Sequence, residues 1–131
     1  MSEQAVALVR GYYELLNARD YDRCSELLSA DFQLVEPSLP DGGSYRGPDG
    51  WRRWLKGIDE AWSYARWERD DFIDAGEYVI VPVRFVSTGA HTAIEQVATR
   101  VHTIRVQGGL VTFATGYRTL AQARKAVGLG E

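Results

Sequence analysis

The sequence predicts an α+β fold in which helices precede an antiparallel sheet. Apolar residues follow helical spacing in the first half of the chain, whereas the second half contains successive apolar runs separated by Gly-bearing turns. Such turns favour antiparallel hairpins over parallel crossovers. In addition, Trp51, Trp54 and Trp62 share one helical stripe, and so large an apolar face needs an extensive partner such as a sheet. We therefore expect a curved sheet covered by helices.

The first helix is predicted over residues 4–18, where apolar side chains recur at spacings of three and four along one face. These side chains are Ala5, Leu8, Val9, Tyr12, Leu15 and Leu16. A break at 17–20 separates it from a short second helix over about 21–29. A strand then carries Phe32 to Glu36 and is stopped by Pro37 and by the turn-forming residues 40–43.

A third helix begins at residues 47–50, Gly-Pro-Asp-Gly, because proline is tolerated in a first turn and an acidic residue there suits the helix dipole. Its apolar stripe consists of Trp51, Trp54, Leu55, Ile58 and Trp62. Four strands follow, over 66–74, 77–87, 92–106 and 110–118, and a short terminal helix over 119–127 completes the prediction.

The composition is that of an ordinary folded protein and predicts one domain over residues 1–131. Apolar residues make up 45% and charged residues 25% of the chain, and the formal net charge is −3. Basic residues are scattered and form no patch for a phosphate backbone, so we expect no nucleic-acid partner. The nearest group, Arg52, Arg53 and Lys56, lies opposite the apolar stripe of its helix and is interpreted as a solvated face.

Cys24 is the single cysteine, so no intramolecular disulfide can form, and a cytoplasmic location is expected. Its position on an apolar helical face predicts a buried, inert thiol. One Cys and two His without ligand spacing predict no metal site. The first residues show no signal-peptide pattern, and no apolar run reaches the roughly eighteen residues of a membrane span, so we expect neither secretion nor membrane insertion.

Glu36 is the strongest indication of a functional site. Strand side chains alternate, so Phe32, Leu34 and Glu36 share one side, and a carboxylate that follows two apolar neighbours into a core is costly unless it has a partner. The alternative is a strand-end carboxylate that bends out to water beside Pro37.

Two further polar groups are predicted on inward faces. His102 faces the core if Arg105 and Gln107 point outward, and Tyr12 lies on the buried side of the first helix. Each has a structural alternative, since a buried histidine or tyrosine is often a core residue bonded to a neighbour. Together with Glu36 they predict a pocket suited to proton transfer.

The order and spacing of several segments resemble a known family. Residues 9–21, with 29–32 and 35–37, are similar to the opening of the ketosteroid isomerase branch of the nuclear transport factor 2-like superfamily. The helix start at 47–50 and the run 101–108 resemble its third helix and penultimate hairpin. The resemblance implies a cone-shaped, cystatin-like roll, in which a curved, mainly antiparallel sheet wraps around three N-terminal helices and leaves a pocket at the open end.

The resemblance also implies roles for the three polar residues. Tyr12 falls where the isomerases place an oxyanion-hole tyrosine, Glu36 where they place the aspartate base, and His102 where they place a second oxyanion donor, normally a protonated aspartate. A histidine cannot reproduce a neutral carboxylic acid. SnoaL-like cyclases are expected to use a histidine and an acid around a pocket, so His102 favours that branch.

The implied chemistry is proton abstraction next to a carbonyl group, which needs no cofactor. A carboxylate shielded from water is a better base near neutral pH, and a phenol and an imidazole can donate hydrogen bonds to the enolate oxygen. Aromatic residues are candidates for the walls of a pocket for a small hydrophobic molecule, with plain core as the alternative. They are Phe32, Trp51, Trp54, Trp62, Phe113 and Tyr117.

Three functions remain open on the sequence alone. The first is a cofactor-independent isomerase or cyclase, and the second is a small-molecule binding protein in which Glu36 pairs with His102. The third is a dimerisation module whose cavity is closed by side chains. A homodimer is expected under all three, through outward residues of the late strands such as Thr99, Val101 and Thr103.

Overall fold

The computed structural model of the chain describes residues 2–37 and 43–129. Its helices are α1 (Ser2–Asn17), α2 (Tyr21–Ser25), α3 (Gly47–Ala61) and α4 (Leu120–Ala126). Its strands are β1 (Leu28–Val35), β2 (Ser44–Arg46), β3 (Trp62–Arg69), β4 (Ile73–Ala75), β5 (Tyr78–Gly89), β6 (Glu95–Gln107) and β7 (Leu110–Tyr117).

All described strands belong to one curved, mixed sheet. Its order is β2-β1-β7-β6-β5-β3, and β4 pairs with β5 outside this path. Only β1 and β7 pair in parallel among the described strands. The predicted α+β architecture, a curved sheet wrapped around three N-terminal helices, is confirmed.

Helices α1, α2 and α3 cover the inner face of the sheet, where the main core lies. Buried residues of α1 recur at helical spacing, as Val9, Tyr12 and Leu16 show, so the predicted apolar stripe faces the sheet. In α3, Trp51 and Leu55 are buried. The described core on the inner face is therefore built largely by residues whose periodicity predicted it.

Helix α4 packs against the opposite, outer face of the sheet. The Oγ1 atom of Thr119 accepts a hydrogen bond from the backbone N–H of Gln122 (3.1 Å) and caps its first turn. Ala123 of α4 packs with Ile80 and Val101 in a second, smaller apolar cluster. The outer face is therefore partly covered by the chain itself.

Several predicted boundaries differ from the structure. The strand expected over 66–74 is two strands, β3 and β4, and β2 was not predicted. The second helix ends at Ser25 rather than near residue 29, because Leu28 already pairs with Val111 of β7 and tertiary pairing overrides helical spacing there. Most of the turn predicted over 40–43 lies outside the described residues.

The outer surface expected to mediate dimerisation needs a correction. Val101 and Thr103 are buried within the chain, at 7% and 1% exposure, whereas Thr99 is exposed. Val101 is covered by α4 and its neighbours. Those two residues therefore cannot supply a contact surface.

Among the helices that the structure describes, none is both long enough and apolar enough to cross a bilayer.

Candidate functional site

A cavity with two adjoining compartments lies between the helices and the inner face of the sheet. The outer compartment, here called the chamber, has a volume of about 470 Å³. The inner one, here called the recess, has a volume of about 40 Å³. Glu36, Trp54, Trp67 and His102 line both compartments. The recess is thus the inner end of one continuous site.

Glu36 follows the last residue of β1 and turns its side chain toward the cavity. Its backbone N–H donates to the carbonyl of Gly43 (2.7 Å), which fixes the main chain at this point. Its Oε2 accepts a hydrogen bond from Nη2 of Arg100 (2.9 Å), and the two side chains are about one fifth exposed, at 20% and 21%. The carboxylate is therefore a half-buried, ion-paired group at the edge of the apolar core.

His102 lies on the inner face of β6 and forms a hydrogen bond with Tyr13 of α1. The distance between Nδ1 of His102 and the hydroxyl oxygen of Tyr13 is 2.7 Å, and the two rings stack at 12°. Burial lowers the pKa of His102 to about 4; nearby Glu36 opposes this effect and Arg100 adds to it. The imidazole is therefore neutral at pH 7.

The tautomer of His102 follows from this contact. Burial keeps the pKa of Tyr13 well above its usual value, so the phenol stays protonated. The described residues offer its O–H no acceptor other than Nδ1 of His102. Because a neutral imidazole has one donor and one acceptor nitrogen, Nε2 then carries the proton. His102 is a hydrogen-bond donor in the wall of the cavity.

Tyr12 is buried beside the recess and bonds to a different partner. Its hydroxyl oxygen accepts a hydrogen bond from Nε1 of Trp51 (3.1 Å), and burial raises the pKa of the phenol. No acceptor for its own proton is found among the described residues. The phenol can therefore donate that proton to an oxygen atom placed in the recess.

Tyr12, Glu36 and His102, the three residues selected from the sequence, all line the recess. They come from α1, the end of β1 and the middle of β6, so the fold brings together groups far apart in the chain. His102 is bonded to Tyr13 and not to Glu36, which the binding-protein hypothesis had paired with it. Their convergence is observed, whereas their catalytic roles remain predictions.

The sequence matches a protein-family model, the SnoaL-like domain, over residues 9–114. This chain belongs to the SnoaL-like domain family. No curated protein matches it.

Solved structures share the fold of this SnoaL-like chain over nearly its full length. An NTF2-like protein of unknown function from Burkholderia pseudomallei is 21% identical, with coverage of 98% of this chain and 99% of that one and a TM-score of 0.80. TerC, crystallised with polyporic acid, is 17% identical, with coverage of 95% and 98% and a TM-score of 0.79. A candidate SnoaL-like polyketide cyclase from Shewanella putrefaciens is 14% identical, with coverage of 88% and 89% and a TM-score of 0.75.

The aromatic walls of the SnoaL-like cavity differ in part from the prediction. Trp54 lines both compartments and Trp62 lines the chamber, as expected. Phe32 and Trp51 are fully buried in the core and line neither compartment. Trp51 instead supports the site from behind through its hydrogen bond to Tyr12.

Phe113 and Tyr117 also line neither compartment, because a β-bulge changes the alternation of β7. Between β6 and β7 the pairing passes from Val106 with Val111 to Arg105 with Phe113, so Thr112 is an extra residue on β7. Phe113 therefore lies on the outer face beneath the guanidinium of Arg105 (5.8 Å). Tyr117 packs against the outer apolar cluster.

Among the lining residues that sequence reasoning missed are Arg100 and Tyr13, the hydrogen-bond partners of Glu36 and His102. Strand alternation places Arg100 on the same face as His102, so the signal was present but was not used. Tyr13 had no comparable signal, because the face of α1 that meets His102 depends on tertiary packing.

Cys24 is a free thiol buried in the core. Burial raises the pKa of the Cys24 thiol to about 12, which fits an inert core residue. Among the residues that the structure describes, no group of three or more His, Cys, Asp or Glu side chains is arranged to hold a metal ion.

Proposed function

We propose that this chain binds a small hydrophobic carbonyl compound and moves a proton next to its carbonyl group, as an isomerase or cyclase without a cofactor. The observation that carries the proposal is the convergence of Tyr12, Glu36 and His102 on one recess at the inner end of an aromatic chamber. A pocket with apolar walls and a few convergent polar groups is the usual form of a small-molecule site.

The sizes of the two compartments support one orientation of the proposed ligand. The recess, at about 40 Å³, has room for about one water molecule or a carbonyl oxygen but not for a ring. The chamber, at about 470 Å³ and lined by Trp54, Trp62 and Phe85, suits the apolar body. A ligand bound in this way presents its carbonyl end to the polar residues.

Each polar residue then has one task. Glu36 accepts a proton from the carbon beside the carbonyl, and the electron pair of the broken C–H bond moves onto the carbonyl oxygen. Tyr12 and Nε2 of His102 donate hydrogen bonds to that oxygen as its charge develops. In a conjugated enolate, return of the proton from Glu36 to another carbon shifts the double bond and completes an isomerisation. Alternatively, the enolate carbon attacks a second carbonyl within the ligand, the π electrons of that carbonyl move to its oxygen, and this alkoxide takes the proton back from Glu36 as the ring closes.

One observation favours a second candidate, a binding protein without turnover. Arg100 pairs with Glu36 at 2.9 Å, so a guanidinium already occupies a carboxylate oxygen that a base would use to accept a proton. In this alternative the same cavity retains the ligand and Glu36 serves only to hold Arg100 in place.

Hydrogen–deuterium exchange at carbons next to a carbonyl distinguishes the two candidates. We expect the protein in D₂O to accelerate exchange in some members of a panel of cyclic and aryl ketones, followed by proton NMR. Glu36→Gln removes the base but keeps the size of the side chain. The rate of exchange that the protein catalyses should therefore fall at least about 100-fold.

Glu60→Gln is the matched control, because Glu60 is an exposed carboxylate on α3, and it should exchange like the wild type. Exchange that survives Glu36→Gln would remove Glu36 as the base. Ketones that bind without accelerated exchange would favour the binding protein.

We also propose that two copies associate, and that the protein works in the cytoplasm. The location rests on the single cysteine of the chain and stays a prediction.

A further inference from the structure

We propose that a groove on the other side of Arg100, here called the basic groove, binds the anionic group of a second small molecule. The groove lies between the end of β7 and α4 and has a volume of about 550 Å³. Its lining residues are Pro37, Arg100, Gly116, Tyr117, Arg118, Gln122, Lys125 and Ala126.

All charged residues in the described lining of the basic groove are positive. Its described lining includes three cations and no carboxylate, although the chain as a whole carries a net charge of −3. Arg100 is paired with Glu36, but neither Arg118 nor Lys125 forms an ion pair with any described residue. Two cations without counter-charges in one concave surface concentrate positive potential and attract an anion.

Hydrogen-bond donors accompany this charge. The backbone N–H of Arg118 donates to Oε1 of Gln122 (3.1 Å), and the backbone N–H of Gln122 donates to Thr119 (3.1 Å). The first bond fixes the side chain of Gln122 at the start of α4 and leaves its amide NH₂ group as a donor. A guanidinium, an ammonium and an amide together suit the oxygens of a phosphate or a carboxylate.

Arg100 adds a buried donor at the inner wall of the groove. Its Nε is buried and has no hydrogen-bond partner among the described residues, an arrangement that costs free energy unless an acceptor is supplied. Gly116, which also lines the groove, leaves the space that Arg100 occupies, since a Cβ there would lie 2.9 Å from Nη2. A third positive group therefore lies close to any anion bound in the groove.

The size of the groove indicates more than an inorganic ion. A volume of about 550 Å³ falls within the range of small-molecule sites, and Pro37 and Tyr117 give it apolar surface. The ligand we infer is a small organic molecule with a phosphate or carboxylate group. This site is separate from the carbonyl chemistry proposed above.

Titration with inorganic phosphate, at ionic strength held constant with sodium chloride, tests the basic groove. We expect saturable shifts of the backbone amide signals of Gly116, Tyr117 and Arg118 in proton–nitrogen NMR spectra. The double variant Arg118→Ala/Lys125→Ala should weaken phosphate binding at least about tenfold, because it removes two charged donors. Acetate in place of phosphate separates the two sources: a similar response indicates a carboxylate ligand, and none indicates a phosphate.

Arg53→Ala/Lys56→Ala is the matched control, because it removes the same charge from exposed residues of α3 and should bind phosphate like the wild type. Tyr12→Phe changes the recess but no residue of the groove, so it should also keep phosphate binding, and the groove and the carbonyl site can fail independently. Shifts that sodium chloride alone reproduces, or that the Arg118→Ala/Lys125→Ala variant retains in full, would overturn the proposal.

Discussion

Tyr12 and Tyr13 are adjacent in α1, yet their hydroxyl groups bond to different partners. Tyr12 bonds to Trp51, while Tyr13 bonds to His102. Successive helical residues differ by about 100° around the axis, so both can be buried while they face different elements. The sequence indicates that this side of α1 is buried, but the roll of α1 against β6 decides which phenol meets His102.

His102 makes the stability of the protein depend on pH. Its pKa is about 4 in the folded chain against an ordinary value of 6.5, so the unfolded state binds more protons between these values. The stability contributed by the neutral imidazole is complete above pH 6.5 and is lost as pH falls toward 4. Between pH 7 and pH 4.5 this group should lower the free energy of unfolding by roughly 2 to 3 kcal/mol.

Urea unfolding at several pH values measures this effect. His102→Asn lacks the imidazole, so its free energy of unfolding should fall less between pH 7 and pH 4.5 than that of the wild type. His91→Asn is the matched control, because His91 is exposed, and it should follow the wild-type curve. Parallel curves for His102→Asn and the wild type would contradict a neutral His102 in the folded chain.

At the scale of elements, strands joined by local hairpins were predictable and irregular ones were not. Strands β5, β6 and β7 follow runs of apolar residues separated by glycine turns, and the prediction located them to within a few residues. Strand β2 is three residues long in a segment rich in Pro and Gly, where pairing with β1 decides the structure. The bulge in β7 depends on its partner strands, so the sequence could not show that Phe113, a candidate for the pocket wall, faces away from the cavity.

Two glycines allow the effect of backbone conformation on stability to be measured without a change in side-chain packing. Neither Gly11, inside α1, nor Gly76, in the turn before β5, has an atom within 4 Å of the position of an added Cβ. Gly11→Ala should stabilise the protein by about 0.5 to 1 kcal/mol, because alanine favours a helix interior. Gly76→Ala should destabilise it by about 1 to 2 kcal/mol, because φ is +77° there.

Urea denaturation midpoints of the two variants and the wild type check this pair. Neither alanine creates a clash. If Gly11→Ala raises the stability and Gly76→Ala lowers it, the difference therefore comes from the backbone angle φ at the two positions. Equal effects of the two substitutions would contradict the assigned conformations.

At the scale of the whole molecule, the strand β1 joins the sheet through a long-range pairing that no local sequence pattern predicts. Strand β1 pairs in parallel with β7, which lies about eighty residues later, as the contact between Val35 and Thr115 shows. This pairing brings Glu36 beside the strands that carry Arg100 and His102. The inward faces of the three site residues, and hence a shared pocket, could be predicted from alternation and helical spacing, but the parallel pairing that positions Glu36 could not, because its partners are far apart in the sequence.

The first half of β6 is the surface we expect to join two copies of the chain. Ile94, just before the strand, and Val97 within it are 64% and 57% exposed, and neighbouring residues of this half are exposed as well. Exposed apolar side chains clustered on a strand are typical of an interface, and a self-complementary contact between two copies would bury them in pairs. This segment replaces Val101 and Thr103, which the chain buries itself.

Sedimentation equilibrium tests this interface directly. We expect wild-type protein at micromolar concentration to have twice the monomer mass of 14.7 kDa. Val97→Arg should shift it to the monomer, because an arginine there would place like charges opposite each other across the two-fold contact. Leu110→Arg, at an exposed residue of β7 far from this half of β6 along the sheet, is the matched control and should remain dimeric. A wild-type chain that sediments as a monomer would exclude the dimer, and a dimeric Val97→Arg variant would exclude this half of β6 as its interface.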